Sequence, residues 1–152
     1  MAYTNLDIDC KHFAINGEEV EATASQLSAA GVAVLTIPVE DLSADGDITA
    51  RPVFVAPFDL KVLDVSIVST GSASGLSTTD TAVVKLANAS AEVAGDTFKT
   101  VASFPGAGVA KSLTLDKVNV DKGDVLTLSV TTGTQADLPA FLLQVTYQMG
   151  VS

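Results

Sequence analysis

The chain has 152 residues, enough for one domain that buries roughly 70% of the surface exposed by its unfolded form. Apolar residues make up 47% of the chain and charged residues 17%, which argues against disorder and favours a folded body. The net charge is −10 and Lys and Arg together number 8, so the chain lacks the clustered positive charge that binds nucleic acids and anionic membranes. We therefore expect neither nucleic acid nor a membrane as a partner.

The cysteine content and the N-terminus indicate synthesis and folding in a reducing cytosol. The single cysteine, Cys10, has no intramolecular partner with which to form a disulfide. The first residues lack the basic region and apolar run of a signal peptide, and no apolar stretch is long enough to span a bilayer. Secretion by the usual signal is not expected.

Residues 1–31 differ in composition from the rest and are predicted to form an N-terminal arm, followed by a body over residues 32–152. A short amphipathic helix is predicted from Asn16 to Gly31, because Asn16 can cap a first turn that is rich in glutamate. Its apolar residues recur at helical spacing but form a narrow face. We therefore expect such a helix to need a neighbouring surface for stability.

Strand patterns begin after the arm and continue to the end of the chain. They are short, mostly alternate between apolar and polar residues, and are separated by Gly, Asp and Ser turns, including one predicted at Ala94-Gly95-Asp96. The predicted strands cover Val32 to Ile37, Ile48 to Val55, Leu60 to Val68, Ala82 to Ala87, Thr97 to Phe104, Lys111 to Leu115, Val118 to Val120, Val125 to Thr131 and Phe141 to Met149.

Three of these strands carry additional information. Alternation is clearest from Phe141 to Met149, where every second residue is apolar, as in a half-buried strand. Between Leu60 and Val68 the apolar residues change parity, which predicts a bulge or a strand that crosses between sheets. Pro38 is predicted to stop the first run, and Pro52 within the second indicates an edge strand or a bulge.

The number and spacing of these strands predict an all-β fold, an antiparallel β-sandwich of the jelly-roll type. An immunoglobulin-like sandwich is the alternative, although the chain lacks the cysteine pair and the tryptophan of that fold. Two segments, Thr70 to Thr79 and Thr132 to Pro139, are predicted to form loops.

Reactive residues are too few and too scattered to predict an enzyme, a metal site or a cofactor. Cys10 and His12 share one face of an extended strand, but zinc needs further ligands that the chain does not supply. The segment Asp41–Asp47 begins like a calcium loop, yet Pro52 stands where the loop requires a bidentate glutamate, so we interpret it as a solvated turn. The sole histidine has no nucleophile motif beside it, which disfavours a hydrolase.

Several segments of the body resemble one known family. The residues concerned are Arg51 to Val62, in which a strand ends at Ala-Pro and an alternating strand follows, together with Lys111 to Leu115, Val118 to Val120 and Lys122 to Leu128. Thr36 to Leu42 is similar to the strand that precedes the sandwich body in proteins of the same family. In these features the chain resembles the capsid decoration, or cement, proteins of tailed bacteriophages.

This resemblance implies a non-enzymatic structural protein that stabilises a capsid by bridging subunits of the major capsid protein. The family implies a homotrimer, made in the host cytoplasm and placed on the capsid exterior of the virion. The extended arm is expected to clamp the shell by adding a strand to an exposed sheet edge. The residues expected to contact the capsid are Tyr3, Leu6, Ile8, Phe13, Ile15, Ile37 and Pro38.

An alternative of a different class remains open at this stage. In this alternative, the protein is a receptor- or glycan-binding module of a phage fibre or surface appendage. The two predicted loops would form its binding surface. The chain has no tryptophan and only two tyrosines, which counts against sugar binding, because sugar rings usually stack on aromatic faces.

Overall fold

The computed structural model describes residues 13–15, 18–20, 31–43, 45–89 and 91–149. Its contacts divide the chain into two compact units, Met1–Val32 and Ala33–Ser152. In the first unit, β1 (Phe13–Ile15) pairs antiparallel with β2 (Glu18–Val20). Within the described ranges no helix has the length and apolar character needed to cross a membrane.

The hairpin in the first unit corrects the predicted helix. Residues Glu18–Val20 are a strand, so the helix from Asn16 to Gly31 is wrong there, and its remaining residues up to 30 lie outside the described ranges. Ile15 is the register partner of Glu18, and the two residues between them in sequence are Asn16 and Gly17. Antiparallel pairing with β1 gives Glu18–Val20 an extended backbone, which excludes a helix over these residues.

The second unit is an all-β sandwich of two sheets. Sheet I has the strand order β10–β5–β12–β3, with β8 also paired to β5, and sheet II has the order β4–β11–β6–β7–β9. A 3-10 turn, Val101–Ser103, follows β7. The strands are β3 (Val32–Val39), β4 (Ile48–Val55), β5 (Leu60–Ser69), β6 (Ala82–Asn88), β7 (Ala91–Phe98), β8 (Ala110–Ser112), β9 (Thr114–Leu115), β10 (Asn119–Val120), β11 (Val125–Thr132) and β12 (Phe141–Met149).

The strand pairs are nested along the chain. The innermost pair is β6 with β7, followed outward by β5 with β8 and β10, then β4 with β11, and finally β3 with β12. Successive pairs alternate between the two sheets, as when one long hairpin is wrapped into a jelly roll. The predicted all-β antiparallel sandwich is confirmed, and the topology selects the jelly roll over the immunoglobulin-like alternative.

Two predicted irregularities are confirmed as bulges. Opposite β12, Thr146 faces Asp64 and Tyr147 faces Val62, so Leu63 is an extra residue at the point where the apolar parity changes. Opposite β11, Leu126 faces Phe54 and Thr127 faces Pro52, which leaves Val53 as an extra residue. Pro52 therefore lies beside a bulge on the edge strand β4, where a missing N–H costs least.

The turn predicted at Ala94-Gly95-Asp96 is wrong, because these residues lie inside β7. The turn before β7 lies instead near Ala89, whose φ of 51° is in the left-handed region. Gly95 leaves room for a neighbouring side chain, since a Cβ there would lie 2.6 Å from Glu92 Oε1. Glu92 in turn pairs with Lys85 at 3.0 Å.

Two strand ends also differ from prediction. The predicted strand Thr97 to Phe104 extends only to Phe98, the last residue of β7. Pro38 does not stop β3, which continues to Val39. Because β3 is the last strand of sheet I, it has a free edge at which a proline is tolerated.

The core lies between the two sheets and comes mainly from alternate residues of β3, β5, β6, β11 and β12. At one end three aromatic rings meet edge to face, with Phe104 5.1 Å from Phe98 and 5.9 Å from Phe141. Lys111 caps this group, since its Nζ lies 4.9 Å from the Phe98 ring centroid and donates to Ser103 O at 2.8 Å. The largest fully buried side chains include Phe98, Phe141, Leu60, Ile67, Leu86, Leu126, Leu128, Leu138 and Leu143.

The loops at one end of the sandwich are joined by backbone hydrogen bonds. Leu42 and Leu138 exchange two of them, at 2.9 and 2.8 Å, and Ser74 and Asp137 exchange two more, at 3.0 Å. Gly75 lies in this junction with a φ of +67°, and a Cβ there would stand 1.6 Å from Gln135 O. Both the backbone conformation and the space therefore require glycine.

We expect Gly75→Ala to destabilise the body by about 2 kcal/mol or more, since the added methyl group collides with backbone and the left-handed φ is strained. Urea unfolding followed by circular dichroism measures this loss. Gly106→Ala is the matched control, because a Cβ at Gly106 meets nothing within 4 Å. Equal unfolding midpoints for the two variants would contradict the assignment of Gly75 to a closed junction.

Candidate functional site

One side of the sandwich is closed by the segment from β8 to β10, residues 110–120. Leu113 N donates to Val65 O of β5 at 2.7 Å, and three residues later Asp116 N donates to Val93 O of β7 at 2.9 Å. The segment then returns to β5, where Val118 O accepts from Val62 N at 2.7 Å. The backbone thus hydrogen-bonds to both sheets in turn and covers both of their edges on this side.

On the opposite side, no described strand pairs with the outer edge of β3 or of β4. There β3 ends sheet I and β4 ends sheet II, and the two strands belong to separate sheets. We call the depression between them, of about 320 Å³, the edge groove. It is lined by Leu35, Thr36, Ile37, Pro38, Arg51, Pro52 and Val53.

The direction of the β3 backbone follows from Pro38. Its carbonyl oxygen accepts a hydrogen bond of 3.2 Å from Nη2 of Arg51, which lies on β4, so this carbonyl points away from β12 and toward the edge groove. The N–H and C=O of one strand residue point to the same edge, and alternate residues share that direction. Val34 and Thr36 therefore turn their backbone groups toward the free edge, as Pro38 does.

The side chains of β3 divide between the core and the surface. Ile37 is only 7% exposed and Val39 is buried, whereas Val34 is 58% exposed.

Across the groove, Phe54 of β4 packs against Tyr147 with ring centroids 5.7 Å apart. Five of the seven residues that line the edge groove have apolar side chains, and Thr36 and Arg51 are the polar ones. An apolar groove beside a free strand edge can bind an extended peptide through backbone hydrogen bonds and side-chain pockets.

The predicted contact residues fall in different places. Ile37 and Pro38 lie together in the edge groove, although the Ile37 side chain faces the core and only Pro38 is exposed. Phe13 and Ile15 lie on β1 in the first unit. The other predicted contact residues, Tyr3, Leu6 and Ile8, lie outside the described ranges. The candidate metal ligands Cys10 and His12 also lie outside them.

Sequence analysis missed the β4 half of the edge groove. Arg51, Pro52 and Val53 are contiguous in sequence with no pattern of a binding motif. The available indication was the pair of prolines, Pro38 and Pro52, each inside a strand-like run, because prolines in strands favour sheet edges. That indication identifies two edge strands but not that they border the same groove.

The acidic segment Asp41–Asp47 stabilises the loop junction, in which Leu42 pairs with Leu138 and Ser74 pairs with Asp137. Asp47 Oδ1 accepts from Thr132 N at 3.0 Å, and Asp41 Oδ1 accepts from Ala140 N. These carboxylates therefore hold the backbone at the end of β11 and just before β12, whereas the sequence predicted only a solvated turn. In the described part of the chain no group of three or more His, Cys, Asp or Glu residues is arranged to hold a metal ion.

A second depression lies at this loop junction. It has a volume of about 340 Å³ and brings together parts of the two loops predicted from sequence, at Ser72 and at Asp137 to Pro139. It is lined by Asp41, Leu42, Ser43, Ser72, Asp137, Leu138 and Pro139.

Comparison with known proteins identifies structural similarity alone. No family model and no curated protein matches it. Among solved structures, it is similar to a protein described under "Bacillus endospore appendages form a novel family of disulfide-linked pili", with 10% identity and a TM-score of 0.41, over 78% of this chain and 89% of that chain. A likeness at this level carries no argument about function.

We expect hydrogen exchange to report the free edge of β3 directly. Because Thr36 directs its N–H away from β12, its amide should exchange at least about tenfold faster than those of Leu35 and Ile37, which face β12. Amide exchange followed by NMR measures the three rates. Protection of Thr36 equal to that of its two neighbours would show that this edge is already covered.

Proposed function

We propose that this protein is a non-enzymatic structural protein that decorates and stabilises the capsid of a tailed bacteriophage. In this proposal it bridges subunits of the major capsid protein on the capsid exterior, as a homotrimer. The observation that carries the proposal is the free edge of β3 beside an apolar groove, on a body whose other side is closed.

The edge groove supports binding to an extended protein segment. A strand that pairs with β3 gains backbone hydrogen bonds at Val34 and Thr36, and its side chains can reach the apolar lining of the groove. Such pairing needs no specific side chain in the partner. It therefore suits contact with a segment repeated in every subunit of a shell.

The arm supplies the second part of the proposed clamp. Residues 1–31 precede β3 directly in sequence, and the contacts of the chain place residues 1–32 in a unit of their own. Once the first of two modest contacts has formed, the second forms within the same complex at a high effective concentration. The apparent affinity then exceeds the affinity of either contact alone. Bridging adjacent subunits in this way stabilises a shell without catalysis.

Deletion of residues 1–31 should abolish binding to undecorated shells of the cognate major capsid protein, while the body remains folded. Co-sedimentation of the truncated protein with the shells measures occupancy, and circular dichroism measures the fold. Full occupancy by the truncated protein would show that the arm is not the clamp.

Thr36→Pro tests the edge separately from the arm. The substitution removes an N–H that points to the free edge, so strand addition should weaken by about tenfold while the pairing of β3 with β12 is kept. Thr36→Val is the matched control, because it retains the N–H and suits a strand. If Thr36→Pro occupies shells as fully as Thr36→Val, the proposed edge contact is wrong.

The second depression favours an alternative, a receptor- or glycan-binding module of a fibre or appendage. The predicted loops do meet there, and hydrogen bonds hold them in one arrangement. Specific retention on a glycan array, lost on the substitution Ser72→Trp that fills the depression, would favour this alternative. Unchanged retention of Ser72→Trp would place any glycan contact elsewhere.

A further inference from the structure

One charged residue, Arg51, lies among the seven described residues that line the edge groove. Its register partner on β11 is Leu128, which is fully buried in the core. Residues directly opposite one another on paired strands share a face of the sheet. Arg51 therefore points from β4 into the space between the two sheets, where its guanidinium group reaches Pro38 of β3.

Arg51 and Pro38 together end the free edge of β3. Pro38 has no N–H to donate to a neighbouring strand, and its carbonyl oxygen already accepts from Arg51 Nη2 at 3.2 Å. An added strand would place its own N–H donor about 2.9 Å from that oxygen, so the guanidinium group occupies the position of the strand. A strand that pairs with Val34 and Thr36 must therefore end or turn away beside Arg51.

The positive charge of Arg51 is available to a partner. Within the described ranges Arg51 forms no ion pair with a carboxylate, and the other six lining residues of the groove are uncharged. A guanidinium group has five N–H donors, so the bond from Nη2 to Pro38 leaves others unused. Their planar arrangement matches a carboxylate, which can accept two hydrogen bonds side by side. The free edge of β3 thus ends at a group that fits a carboxylate.

We propose that the segment that binds the free edge of β3 carries an aspartate or glutamate at the end beside Arg51, and that its carboxylate pairs with the Arg51 guanidinium group. This inference rests on the proposed function, in which the segment belongs to the major capsid protein. It adds the chemistry of that segment and gives Arg51 a role in selecting it.

The pairing would fix the register of the bound segment. Backbone hydrogen bonds are the same at every position along a strand, so they do not by themselves select one alignment. A slip of one residue moves the carboxylate about 3.3 Å along β3 and turns it to the other face of the strand. Arg51 is therefore a specificity-determining residue, because its ion pair forms in one alignment and is lost in the others.

Binding of the full chain to undecorated shells of the cognate major capsid protein tests the inference, with the apparent affinity measured by co-sedimentation. Three substitutions, Arg51→Lys, Arg51→Gln and Arg51→Glu, should weaken binding increasingly in that order. Arg51→Lys keeps the charge but loses the planar donors, and Arg51→Gln should cost at least about fivefold. Arg51→Glu should bind at least about tenfold more weakly than Arg51→Gln, because two carboxylates then meet.

Salt separates charge pairing from a purely structural effect of the bond to Pro38. Between about 0.05 M and 0.5 M NaCl, screening should reduce the difference between the unaltered protein and Arg51→Gln. Lys99→Gln is the matched control, because it makes the same change of net charge directly after β7, which β6 and β11 separate from β4. This variant should bind shells as the unaltered protein does, and circular dichroism checks that every variant is folded.

Three results would each overturn the inference and leave the proposed function intact. These are equal binding by Arg51→Gln and Lys99→Gln, binding of Arg51→Glu as strong as that of Arg51→Gln, and a loss in Arg51→Gln that is the same at both salt concentrations. Failure of the unaltered protein to bind shells is a different outcome, since it would overturn the proposed function itself.

Discussion

The two sides of the sandwich are closed unequally, and the edge groove exists because of this difference. Every sheet ends in a row of backbone N–H and C=O groups, and these must be paired, covered or left to water. On one side residues 110–120 hydrogen-bond to β5, then to β7, then to β5 again, so one short segment covers both edges. On the other side β3 and β4 end their sheets, with the edge groove between them. The surface available for strand addition is therefore set by where this one segment runs.

The fold class could be predicted because alternation is a local property of each strand. The segment Phe141–Met149 shows this, since its apolar positions give buried Phe141, Leu143 and Val145 in the structure. Even the bulge at Leu63 left a readable change of parity in the sequence. The errors arose where one residue type serves two purposes. Gly95 indicated a turn but lies within a strand beside Glu92, and the glutamates Glu18 and Glu19 indicated a first helical turn but lie in β2.

The candidate site was less predictable because it depends on strand order. Arg51 and Pro38 are 13 residues apart and lie on different sheets, and their hydrogen bond exists only because both strands end on the same side. No periodicity in either strand encodes that arrangement. The prolines do carry partial information, since a residue without an N–H is best tolerated where no neighbour strand needs one. The sequence thus indicated an edge or bulge at Pro52 but placed the end of a strand at Pro38, and only the fold shows that both prolines border one groove.

Strand addition at the edge of β3 is a means of assembly that a strongly acidic chain can use. Backbone pairing at the edge depends little on side-chain charge, so a net charge of −10 does not prevent it. The N–H and C=O groups of Val34 and Thr36 carry no net charge, and strand pairing uses these groups rather than side chains. This edge is therefore a part of the surface at which the charge of the chain opposes association least.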